Sequence, residues 1–135
     1  MFFNDSNQKN ELAKVAALLI HAAKIDQNFS KNEEFIIKQT MLEIGAKKEN
    51  IDKIIQEGKD MENNSNQILD FTKKVKNMEE SNKIKIIESL WKIIYSNKEE
   101  DIYESNLMRR LAGLLYIDSK IMGDIKEKIK KESLK

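Results

Sequence analysis

Apolar residues recur every three or four positions through most of the chain, which is the periodicity of an amphipathic helix. Leu12, Val15, Ala16 and Leu19 form the clearest such stripe. The pattern predicts seven helices: about 6–25, 30 to the glycine at 45, 48–57, 65–76, 81–95, one that begins at 101 and one that begins at 118 or 119. The predicted fold class is therefore all-α, a single compact bundle of about seven helices.

Capping residues set the bounds of several predicted helices. Ser30 and Glu33 have the spacing of a capping box, in which each side chain accepts a hydrogen bond from the backbone of the other residue. Asp101 and Glu104 have the same spacing and begin the sixth helix. Gly45 follows the second helix and suits a left-handed C-terminal cap, because glycine has no Cβ to clash there.

Other helix ends rest on weaker signals. Asp5 or Ser6 is expected to cap the first helix, since both residue types accept hydrogen bonds from the first turn. Gly58 is expected to lie just beyond the third helix, and the polar run 59–66 is predicted to be the longest loop.

An internal duplication is visible in the sequence. Four residues of one segment match four of a later segment at one fixed offset: Asp26, Ser30, Glu33 and Ile36 with Asn97, Asp101, Glu104 and Leu107. The chain is therefore predicted to contain two similar helix-loop-helix hairpins. Packing of these hairpins about a pseudo-two-fold axis would bring the acidic segments 26–34 and 97–104 to the same end of the bundle.

Composition removes several classes of function. The chain has 24 basic and 23 acidic residues, a balance that favours neither nucleic acid nor an anionic membrane as partner. It has no cysteine, which excludes disulfides, thiolate zinc sites and a cysteine nucleophile. No segment reads as a signal peptide or a membrane span, so we expect a cytoplasmic protein without membrane insertion.

Two segments resemble the signature hairpins of the TerB-like (tellurite-resistance protein B) domain family: AAKIDQNFSKNEEFII from Ala22 and LWKIIYSNKEEDIYESNLMRRLAGLLYID from Leu90. The resemblance covers nearly the whole chain and implies one TerB-like domain over residues 1–135. Residues that match the family pattern are Asp26, Ser30, Glu33, Leu90, Trp91, Asp101, Glu104, Arg109 and Arg110. The chain departs from it at three positions, with Gln27 and Lys98 in place of glycine and Asn97 in place of aspartate.

The resemblance implies an all-helical bundle related to the N-terminal domain of the co-chaperone DjlA, and divalent-metal binding through paired acidic segments. A hard cation such as Ca²⁺ or Mg²⁺ requires several converging oxygen ligands. The candidate metal ligands are Asp26, Glu33, Asn97, Asp101 and Glu104, with Ca, Mg, Mn or Zn as the cofactor. The competing interpretation is that these carboxylates only cap helices, each cap contributing about 1 kcal/mol.

Enzymatic activity is not expected. The chain has one histidine, His21, beside an apolar stripe, and no second histidine with which it could form a site. The leading hypothesis is a non-enzymatic TerB-like module in a stress response related to tellurite, which acts either through contacts with another protein or through weak divalent-metal binding. The alternative is a co-chaperone-like or scaffold domain without metal or small-molecule ligand. The sequence does not specify the oligomeric state.

Overall fold

The helices predicted from periodicity are present in a computed structural model, which describes residues 2–24, 30–64, 69–96 and 102–133. Within these ranges there are seven α-helices and no strand: α1 (Phe2–Ala23), α2 (Lys31–Glu43), α3 (Ile51–Asn64), α4 (Leu69–Lys76), α5 (Glu80–Tyr95), α6 (Ile102–Leu114) and α7 (Ser119–Ser133). A short 3-10 turn, Lys48–Asn50, leads into α3. The all-α prediction is confirmed.

Several predicted helix ends are confirmed, whereas the predicted start of α1 and the predicted end of α3 are wrong. Ser30 is the N-cap of α2. The carboxylate of Asp118 accepts a hydrogen bond from the backbone of Lys120 at 2.8 Å, so Asp118 caps α7. At the N-terminus, however, α1 begins at Phe2, which places Asp5 and Ser6 inside the helix. Neither residue is therefore the N-cap of α1 that the sequence predicted.

The third helix extends well beyond its predicted end. It continues through Gly58 to Asn64, so residues 59–64 of the predicted loop are helical, whereas 65 and 66 lie outside the described residues. A Cβ built on Gly58 would lie 2.8 Å from the Cβ of Ala16 and 3.2 Å from the carbonyl oxygen of Ala13. Gly58 is therefore a packing residue that lets α3 approach α1, and it does not end the helix.

The duplication extends over three helices on each side. At an offset of 71 residues, α1, α2 and α3 correspond to α5, α6 and α7. Equivalent apolar positions are buried in both repeats, among them the pairs Val15 and Ile86, Leu19 and Leu90, and Ala23 and Ile94. In each repeat the first helix packs against the third. Helix α4 joins the repeats and contacts both α1 and α6.

One hydrophobic core includes side chains from both repeats. Trp91 is only 3% exposed and stacks on Tyr95 with the ring centroids 5.9 Å apart, and Met41 and Met108 are also buried. All four side chains belong to this core.

No helix in the described ranges is both long enough and apolar enough to cross a lipid bilayer.

The same C-terminal cap ends the second helix of each repeat. In α2 the amide of Ala46 donates to the carbonyl of Met41 at 2.9 Å, and Gly45 takes a φ of 119°. In α6 the amide of Ile117 donates to the carbonyl of Ala112 at 2.9 Å, and the residue with positive φ, 57°, is Tyr116. Both ends are Schellman motifs, in which glycine is the usual residue at the left-handed position.

Substitutions at Tyr116 will distinguish the free-energy cost of its left-handed backbone from the effect of removing its aromatic ring. A left-handed backbone costs a non-glycine residue roughly 1–2 kcal/mol, and the ring is 73% exposed, so burial does not offset this cost. We expect Tyr116→Gly to unfold with a free energy about 1 kcal/mol higher than Tyr116→Ala, and Gly45→Ala to lose about 1 kcal/mol. Urea denaturation measures the free energy of unfolding of all three variants. Equal values for the two Tyr116 variants would show that the left-handed backbone at this position is not strained.

Candidate functional site

The first acidic segment enters α2 through a complete capping box. Ser30 has extended backbone angles, and its hydroxyl accepts a hydrogen bond from the Glu33 amide at 3.1 Å. The Oε1 of Glu33 accepts one from the Ser30 amide at 2.8 Å. Because this box is local in sequence, its spacing alone predicted it correctly.

Glu33 is also buried, with 1% of its surface exposed, and so is its equivalent in the second repeat, Glu104, at 5%. Burial of a carboxylate is costly unless partners compensate for the lost water. Two buried carboxylates at equivalent positions near the start of α2 and α6 are therefore a specific feature of this fold.

The other predicted metal ligands, Asp26, Asn97 and Asp101, lie outside the described residues. Among the residues that are described, no three histidine or acidic side chains are grouped so that they could hold a metal ion. The predicted five-residue metal site therefore stays a prediction.

A second charged cluster lies where α1 ends beside the end of α3. The ammonium group of Lys24 lies 2.7 Å from Glu62 Oε2 and 3.0 Å from Asn63 Oδ1. On the preceding turn, His21 Nδ1 lies 3.5 Å from Glu62 Oε1. The Glu62 side chain is 11% exposed, so this pair is more shielded from water than an ordinary surface pair.

The end of α3 also contacts the start of α2, where Lys59 Nζ lies 3.3 Å from Glu34 Oε1. Sequence reasoning missed Glu62 and Lys59 because it placed both in a loop. The sequence did offer a signal for them. If the helical pattern of α3 is continued through Gly58, Lys59 and Glu62 fall on successive turns of one helix. The last turns of α3 thus join the two helices of the first hairpin.

The described surface carries open grooves with different linings. One lies between α1, α3 and α4 and is lined by lysine and asparagine. A neighbouring groove is lined by both acidic and basic residues and includes Val15 and Ile44. Another, between α2, α5 and α7, is largely apolar, with Ile36, Tyr95 and Ile129.

Comparison with known protein families gave one match. The sequence model of a family described as "Tellurite resistance protein TerB" matches residues 12–127 of this chain. The match includes both capping segments, all of α2 to α6 and more than half of α1 and of α7. No curated protein gave a significant match. The same holds for solved structures.

Proposed function

Because this chain belongs to the TerB family, we propose that it is a non-enzymatic TerB-like module whose two acidic segments bind a divalent cation weakly. The observation that carries the proposal is the burial of Glu33 and Glu104 at equivalent positions of the two repeats. A carboxylate that serves only as a cap is well placed on an exposed helix end, where water stabilises its charge. Their equivalent positions in the two repeats would let both carboxylates serve one shared ligand.

The donor chemistry suits a hard cation. Carboxylate and amide oxygens are the ligands that Ca²⁺ and Mg²⁺ prefer, and the proposed set is Asp26, Glu33, Asn97, Asp101 and Glu104. Glu33 already uses Oε1 in the capping box, so metal binding competes with or supplements that hydrogen bond. This competition is one reason to expect weak binding.

The metal proposal is tested by calorimetric titration of Ca²⁺, Mg²⁺, Mn²⁺ and Zn²⁺ into metal-stripped protein. We expect binding that Asp26→Asn combined with Glu33→Gln abolishes. A cation at a hundred times its dissociation constant should stabilise the fold by about 2.7 kcal/mol, which a thermal shift detects.

Two control variants separate ligand loss from damage to the helix. Glu34→Gln removes a neighbouring charge that pairs with Lys59, and Ser30→Ala removes the hydroxyl half of the capping box but keeps every carboxylate. Both should bind metal like the unaltered protein. Absence of binding at millimolar concentrations of all four ions would contradict the proposal.

That negative result would favour the second candidate, a scaffold or co-chaperone-like domain that acts through a protein partner. Two large hydrophobic side chains favour such contacts, because Phe35 is 59% exposed and Tyr116 is 73% exposed. A tellurite-related stress role in the cytoplasm belongs to the first proposal, and the family description supports its tellurite part.

A further inference from the structure

The groove between α1, α3 and α4, here called the α4 groove, concentrates positive charge on a nearly neutral protein. Among the described residues, its lining includes three lysines, Lys14, Lys73 and Lys74, and one acidic residue, Asp70. The whole chain has a net charge of only +1. The lysines therefore give the groove a local positive charge that the chain as a whole does not have.

Two of these lysines lack an internal counter-charge. Neither Lys14 nor Lys73 forms an ion pair with another described side chain. Lys74 pairs with Glu11 at 3.5 Å, and both side chains are about half exposed, so water weakens this pair. The groove thus keeps positive potential that an anion in solution would neutralise.

The shape of the groove suits a small molecule better than a single ion. Its volume is about 620 Å³, which is within the range of small-molecule sites. Met61 and Phe71 form an apolar part of the lining, and Asn64 and Asn77 add polar amides. The Asn77 amide is held in place by a hydrogen bond to the Lys73 carbonyl at 3.1 Å.

The groove is built mainly on α4, the helix that joins the two repeats. Lys14 of α1 and Met61 and Asn64 of α3 complete the lining beside α4. Phe71 and Val75 anchor α4 in the core, while Lys73 and Lys74 remain accessible to solvent.

We propose that the α4 groove binds a phosphate-bearing small molecule of nucleotide size, with Lys14, Lys73 and Lys74 contacting its phosphate groups. Lysine binds phosphate as a mobile point charge and needs no fixed bidentate geometry, which suits side chains on two different helices. Several linked phosphates can contact several lysines at once, whereas an uncharged molecule of similar size gains nothing from them.

The test is calorimetric titration of ATP, sodium tripolyphosphate and adenosine into the full chain in metal-free buffer, with ¹⁵N NMR to locate the contacts. We expect ATP and tripolyphosphate to bind, more weakly at higher salt, and adenosine not to bind. Shifted amides should cluster on α4 and on the parts of α1 and α3 that face it. Metal-free conditions keep this result independent of the metal proposal.

Substitution of single lysines gives the decisive comparison. Lys14→Gln and Lys73→Gln should each weaken ATP binding roughly tenfold, whereas Lys53→Gln and Lys120→Gln, on exposed faces of α3 and α7, should leave it unchanged. Lys73 is exposed, so its substitution tests the groove without disturbing the core. Absence of binding at millimolar ATP, equal binding of adenosine, or equal loss in all four variants would overturn the proposal.

Discussion

Gly58→Leu will lower the free energy of unfolding by about 3 kcal/mol or more, because its side chain must occupy space already filled by α1. Even a single added carbon would lie 2.8 Å from the Ala16 Cβ and 3.2 Å from the Ala17 backbone nitrogen. Neither neighbour is the flexible end of a long side chain, so relief requires the helices to separate. Gly58→Ala is therefore also expected to be destabilising, although alanine favours helix by about 1 kcal/mol over glycine.

Two other helical glycines provide matched controls. A Cβ built on Gly113 in α6 or Gly123 in α7 meets nothing within 4 Å. Alanine at either position should raise the free energy of unfolding by about 0.5–1 kcal/mol through helix propensity alone. Urea denaturation of the three alanine variants measures the contrast. A stabilising Gly58→Ala would show that the close approach of α1 and α3 does not exist.

Leu19→Ala and Leu90→Ala will each lower the free energy of unfolding by about 2–5 kcal/mol. Both leucines are 0% exposed and occupy equivalent positions in α1 and α5, helices that contact each other. Since one core includes both repeats, each variant should unfold in a single transition that near-ultraviolet and far-ultraviolet circular dichroism report at the same urea concentration. The exposed neighbour Lys92, changed to Ala, should shift that transition very little.

A two-step transition in only one of the leucine variants would contradict this expectation. It would mean that the repeats unfold separately and that the contact between α1 and α5 adds little to the free energy of unfolding. Similar losses at both positions would show that the duplication preserves the energetic role of the position as well as its burial.

Features set by neighbouring residues could be predicted from the sequence. The Ser30 and Glu33 box, the left-handed Gly45 and the Asp118 cap each depend on hydrogen bonds within a few residues. The duplication was also visible, because capping residues repeat with fixed spacing. These features determined the fold class and the family resemblance without any long-range information.

Features set by distant partners could not be predicted. Gly58 has the local pattern of a helix end, and only the surface of α1 explains why it lies inside α3. The pairing of Lys24 with Glu62 depends on that same extension of α3. Burial of Glu33 likewise depends on helices packed around the cap, so the sequence identified the residue without indicating how far it is removed from water.

The two repeats also show how a duplicated fold diverges. Where the first repeat has Ala13, Ala16 and Gly58, the second has Ile84, Ile87 and Ile129. In the first repeat, a single large side chain at any of these positions would overpack two helices that the glycine allows to lie close together. In the second repeat, replacement of one isoleucine by a smaller residue would leave a cavity. A change in either contact is therefore least destabilising when the residues that face each other change together.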